Sequence, residues 1–132
     1  MAVRVVHITP TDRIAYLMLR TRLVHLQDAG YDISIICGRS PEGAYDVELR
    51  EDGIDVIHVP FEREIAPLTD IRCALSIYRA LSANGFDIVH SHNPKGGLLG
   101  PMVAQLARRP AVVHTVHGFL FNENSMGIHR VL

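Results

Sequence analysis

Two nearly unbroken apolar runs, Phe86 to His90 and Ala111 to Val116, flank a helix-length apolar segment at about Leu98 to Ala107. Strands covered on both faces read as continuous Val/Ile/Leu runs, and two strands joined through a helix must lie parallel with a right-handed crossover. The same grammar recurs upstream. Val3 to Ile8, Tyr31 to Cys37 and Ile54 to Val59 are strand-like, and the stretches between them carry helical spacing. The expected architecture is α/β: a Rossmann-like parallel sheet with helices on both faces.

Local signals set the expected boundaries. Pro10 closes the first strand, Asp12 is the expected N-cap, and Gly30 supplies the left-handed stop of the first helix. Ile14, Leu17, Met18 and Val24 form its expected inner face. Tyr45 to Glu51 predicts a short helix before Gly53, and a longer one runs from Thr69 or Asp70 to Ala83. That longer helix offers two alternative inner faces, Ile71, Leu75, Tyr78 and Leu81, or Leu75, Ile77 and Leu81. Phe61 to Pro67 and Asn122 to Gly127 read as loops, and Ile128 to Leu132 opens a further helix.

Open parallel sheets take ligands outside the carboxyl ends of their strands, which is where polar residues interrupt the apolar pattern. After the fourth strand, His92, Asn93, Pro94 and Lys95 lead into Gly96 and Gly97; after the fifth come His117 and Gly118. Glycines permitting close backbone approach, amides at a helix start and the chain's only lysine favour an anion such as a phosphate or carboxylate. The alternative is a turn in which the glycines fit the bend and the lysine is solvated. The spacing matches neither GxxxxGK[ST] nor GxGxxG. His92 and His117 are read as lying at the mouth of the sheet. His7, His90 and His114 are read as core residues. Without nearby acids, a zinc set drawn from His90, His92, His114 and His117 is not expected.

Composition narrows the function classes. The net charge is -1, arginines are scattered among carboxylates, and no broad basic face is expected, so nucleic acid is not an expected partner. The start lacks signal-peptide zoning, and no apolar run reaches the roughly 20 residues of a membrane span. Cys37 and Cys73 read as reduced core thiols. A cytoplasmic protein is the expectation, with peripheral contact at the inner face of the plasma membrane left open.

The phrase DIVHSHNPKGGLLGPMVAQLARRPAVVHTVHGF, with VRVVHIT at the start and LVHLQDAGYDISIICG after the first helix, resembles the N-terminal domain of retaining bacterial glycosyltransferases of family 4. The likeness is strongest to members that build capsular, exopolysaccharide or lipid-linked glycans. It implies the N-terminal half of a two-domain GT-B fold, truncated here, that holds the acceptor. A C-terminal domain or partner chain would hold the nucleotide-sugar co-substrate, and neither a cofactor nor a metal is implied. By this resemblance His117 faces the reacting sugar and acceptor, followed by Gly118. His92, Asn93 and Lys95, with Gly96 and Gly97, border the same cleft. Asp12 and Arg13 fall where many members carry a Gly-Gly doublet, a departure from the family pattern. The fragment alone is expected to be inactive. The alternatives are a sugar-nucleotide 2-epimerase of the same fold and a non-catalytic subunit docking a separate donor-binding chain.

Overall fold

A computed structural model describes residues 2–62 and 66–116, and for residues 93–98 the backbone only. Five parallel strands form one sheet in the order β3-β2-β1-β4-β5. They are β1 (Arg4–Thr11), β2 (Asp32–Gly38), β3 (Asp55–His58), β4 (Ile88–His92) and β5 (Ala111–Thr115). Between β1 and β2 run α1 (Asp12–Ile14), a π-helical stretch (Ala15–Leu19) and α2 (Arg20–Asp28); α3 (Tyr45–Glu51), α4 (Pro67–Ala83) and α5 (Asn93–Leu106) connect the remaining strands. This is the expected Rossmann-like arrangement.

Alternation along the strands divides the core in two. On one face Val6, Ile8, Ile36 and Val89 pack under Cys73, Ile77 and Leu81 of α4 and Val103 and Ala104 of α5. On the other, Val5, Ile33, Ile35 and Cys37 pack under Ala15, Leu19, Leu23 and Leu49. Strands buried on both faces are what near-continuous apolar runs require.

Several boundaries differ from the sequence reading, each for a physical reason. Pro10 does not end β1. The register with β2 shifts between Thr9 and Thr11, so the missing N–H of Pro10 falls in a bulge where no ladder bond is lost. Thr11, not Asp12, is the N-cap of α1, its hydroxyl accepting from the Ile14 amide at 3.2 Å. The π-helical stretch changes the helical phase, so Ala15, Leu19 and Leu23, four apart, are buried. The expected Leu17 and Met18 face outward.

In α4 the inner stripe is Cys73, Ile77 and Leu81, while Ile71, Leu75 and Tyr78 are exposed. A helix apolar on both sides cannot be oriented from its period alone. The expected polar turn after β4 is also absent. β4 continues through His92 and α5 starts at Asn93, because Pro94 is tolerated in a first turn where no intrahelical N–H bond is required. His114 is not a core residue; it lies exposed on β5. The expected loop 122–127 and the helix after it lie outside the described residues.

Candidate functional site

From β1 the chain winds one way to β2 and β3, then returns to place β4 and β5 on the other side. The reversal falls between β1 and β4, the crevice position where sheets of this kind bind ligands. Three buried polar residues mark it: Thr9 and Asp12 from the end of β1, and His92 from the end of β4.

His92 is the N-cap residue of α5, in extended conformation, and makes no side-chain capping bond. The opening amides of α5 and the positive end of its dipole lie at this crevice. The backbones of Asn93, Lys95, Gly96 and Gly97 all lie in this first part of the helix. Their side chains are outside the described set, as are His117 and Gly118 entirely.

The His92 side chain is not at an open mouth. It is 3% exposed, and its Nε2 lies 2.9 Å from Nδ1 of His7. His90 stacks on His92 with ring centroids 4.2 Å apart, and its Nε2 lies 2.6 Å from the Thr115 hydroxyl. His7, His90 and His92 share a face because alternate residues of a strand do, and because His7 of β1 pairs in register with His90 of β4. Burial, with His90 adding to it, pushes the pKa of His7 down to about 3. His7 is thus neutral, and its Nε2 is buried without a partner among the described residues.

Ligand nitrogens of these three histidines lie within 4.8 Å of one another. Two of these nitrogens, His7 Nδ1 and His92 Nε2, are hydrogen-bonded to each other. His114 belongs to the opposite face, bonded through Nδ1 to the Ser91 hydroxyl at 2.9 Å. Of the four histidines considered from sequence, His114 thus stands apart from His90 and His92, and His117 lies outside the described residues.

Asp12 is 2% exposed and directed inward, its Oδ1 accepting from the amides of Ser40 at 2.8 Å and Arg13 at 2.9 Å. It ties the loop after β2 to the end of β1. Arg13 beside it is exposed. Asp12→Ala leaves the half-buried Ser40 amide without this acceptor and is expected to cost about 1–3 kcal/mol; an unchanged urea midpoint would show that the contact carries no stability.

Sequence reasoning missed a second cluster at the ends of β2 and β3. Asp46 accepts from Arg50 Nη1 at 2.8 Å and meets His58 Nε2 at 3.2 Å. The bond to His58, then the charges of His58 and Arg50, hold its carboxyl below the usual range against the opposing effect of burial. Burial pushes the Cys37 thiol up to about 12, so the thiolate needed for reactivity is absent near neutral pH. Arg50 also donates to the Val56 carbonyl at 3.0 Å, which makes this group a clamp of α3 onto β3. The i,i+4 spacing of Asp46 and Arg50 was the available signal.

A family model described as Glycosyl transferase 4-like domain matches residues 19–132. The UDP-Gal:alpha-D-GlcNAc-diphosphoundecaprenol alpha-1,3-galactosyltransferase of Escherichia coli is 38% identical over 97 residues, covering 73% of this chain and 24% of that protein. The capsular polysaccharide biosynthesis glycosyltransferase CapM of Staphylococcus aureus is 29% identical over 102 residues, covering 76% and 25%. A solved glycosyltransferase structure from Rickettsia africae superposes with a TM-score of 0.68 at 17% identity, over 93% of this chain and 32% of that one, a likeness of fold alone. The chain spans about a quarter of the length of these curated relatives.

Proposed function

Because this chain belongs to the glycosyl transferase 4-like family, we propose that it forms the acceptor side of a glycosyltransferase cleft. The whole protein would move a sugar from a nucleotide-sugar to a glycan or lipid-linked acceptor in polysaccharide synthesis. The observation that carries this reading is the 38% identity, over 97 residues, to a transferase whose named acceptor is a diphosphate-linked lipid sugar. The start of α5 at the β1/β4 reversal supports it, since the opening amides of a helix and its dipole suit a diphosphate.

In this reading Lys95 and the α5 amides hold anionic oxygens, with Asn93, Gly96 and Gly97 shaping the approach. His117, followed by Gly118, faces the reacting hydroxyl and positions it or takes up its proton. His92 positions the start of α5 from within, and Arg13 stands at the rim. The donor would be held from the other side of the cleft. Transfer gains from groups that stabilise the leaving phosphate only as it departs.

The test is sugar transfer by the full-length protein from UDP-sugars to a diphosphate-linked lipid sugar. Transfer is expected, with His117→Ala reducing kcat/KM by roughly a hundredfold, the lower range for a positioned acid-base group. Undiminished turnover in the variant would remove His117 from the mechanism, and a free sugar as the only product would replace transfer with epimerase or hydrolase chemistry.

A further inference from the structure

His7 and His92 meet across the reversal between β1 and β4. His7 Nδ1 and His92 Nε2 stand 2.9 Å apart with the rings 19° from parallel, and a hydrogen bond of that length holds one proton. Which ring supplies it is decided on the far side of His7, where Nε2 is buried without a partner among the described residues. Burial keeps His7 neutral, so this ring has a single proton to place. On Nε2 the proton would make a buried donor with no acceptor. On Nδ1 it is donated to His92, and only a lone pair is left at Nε2, the lesser loss because orphaned buried N–H groups are the rarer kind.

The surroundings of His92 agree with that choice. It occupies the N-cap position of α5, where a side chain ordinarily accepts from the second or third amide of the helix, and it makes no such bond. Nδ1 is the ring nitrogen nearer the backbone, hence the one able to accept there. A proton on Nδ1 turns that acceptor into a donor, while Nε2 accepts from His7. His90 holds the ring plane: it stacks on His92 at 4.2 Å between centroids and 22° between planes, and its own Nε2 lies 2.6 Å from the Thr115 hydroxyl. Stacking sets the tilt of the His92 ring but not its edge. The bond to His7 is what distinguishes a nitrogen from a carbon on that edge.

We propose that His7 is a positioning residue that holds His92 as the Nδ1–H tautomer and thereby keeps it from capping α5. The opening amides of the helix then meet no competing ring nitrogen of His92 when an anion approaches. The kinetic consequence rests on the reading of α5 as the holder of the sugar acceptor's phosphates; the tautomer does not.

The test is a proton–nitrogen correlation spectrum of the histidine rings in the isotope-labelled full-length protein near neutral pH, with His92 assigned by the signals lost in His92→Gln. His92 is expected to carry its proton on Nδ1, with Nε2 bare. His7→Leu removes the donor and is expected to move the proton to Nε2. His7→Asn, whose side-chain amide can donate from about the place of Nδ1, is expected to restore the parent pattern. In sugar transfer, His7→Leu should raise KM for the diphosphate-linked lipid sugar roughly fivefold, which is what one typical capping bond converts to, with kcat little changed and His7→Asn recovering the loss. A proton on His92 Nε2 in the parent overturns the proposal, whether or not the variants fold. So does an unchanged His92 spectrum in His7→Leu, which would make His7 a core residue only. A tautomer that reverses while KM stays put would leave the lock standing and defeat the reading of α5 as the phosphate holder.

Discussion

Between pH 6.5 and pH 4 the fold is expected to lose up to about 3 kcal/mol through His7 alone, at about 1.36 kcal/mol per pH unit. His7 is 3% exposed and kept neutral by burial, with its pKa near 3, against 6.5 when unfolded. Above pH 6.5 both states are neutral and the residue makes no difference. As the pH falls, the unfolded chain takes the proton and the folded one does not, so stability drops steadily and levels off only near pH 3. The groups facing His7 are His90 and His92, stacked against it at 4.9 and 5.2 Å between centroids, and neither supplies a negative charge to offset protonation. With a whole domain worth about 5–15 kcal/mol, the effect is a large share of the total. Urea titrations at several pH values will measure it. His7→Leu should flatten the slope whatever stability the variant starts from, and parallel slopes in the two proteins would refute the assignment.

Gly38→Ala is expected to cost about 3 kcal/mol, at the upper end of ordinary overpacking. A Cβ there would stand 2.7 Å from the Pro10 carbonyl oxygen, 3.0 Å from Phe61 Cβ and 3.1 Å from the Phe61 carbonyl oxygen. Backbone and Cβ atoms cannot rotate aside, so the end of β2 must separate from the bulge of β1 and from the loop after β3. Gly100→Ala makes a useful contrast. Its Cβ would meet Ser91 Cβ at 2.7 Å, but alanine returns about 1 kcal/mol of helix propensity in α5. The loss at Gly100 should therefore be the smaller of the two. Thermal melts of both variants rank them, and a Gly38→Ala protein as stable as the parent would mean that the loop after β3 yields freely.

The inner strands were legible because cover on both faces leaves long apolar runs, whereas the run of β5 stands exposed at the sheet edge; Gly30 and Gly53 mark the ends of elements by their positive φ. Less legible were features in which one residue could serve two structures. Pro10 reads as a stop, yet a bulge accommodates it. Asn93 to Gly97 reads as a turn, yet Pro94 begins a helix. Ile71 and Leu75 read as core, yet they form the outer face. At the candidate site, His92 was identifiable from its place after an apolar run. Its partner His7 was not, because the pairing spans 85 positions and arises only from the register of two parallel strands.

That parallel register also bears on how the chain comes off the ribosome. β1 is made first but lies in the middle of the sheet, and Val5 waits for Ile88, 83 positions downstream. At about 5–20 residues per second, translation leaves one edge of the newborn strand unpaired for roughly 4–17 s. During that interval Val5, Val6 and Ile8 form a ready template for any extended neighbour, and growth in the cell would depend on chaperones that shield nascent hydrophobic segments.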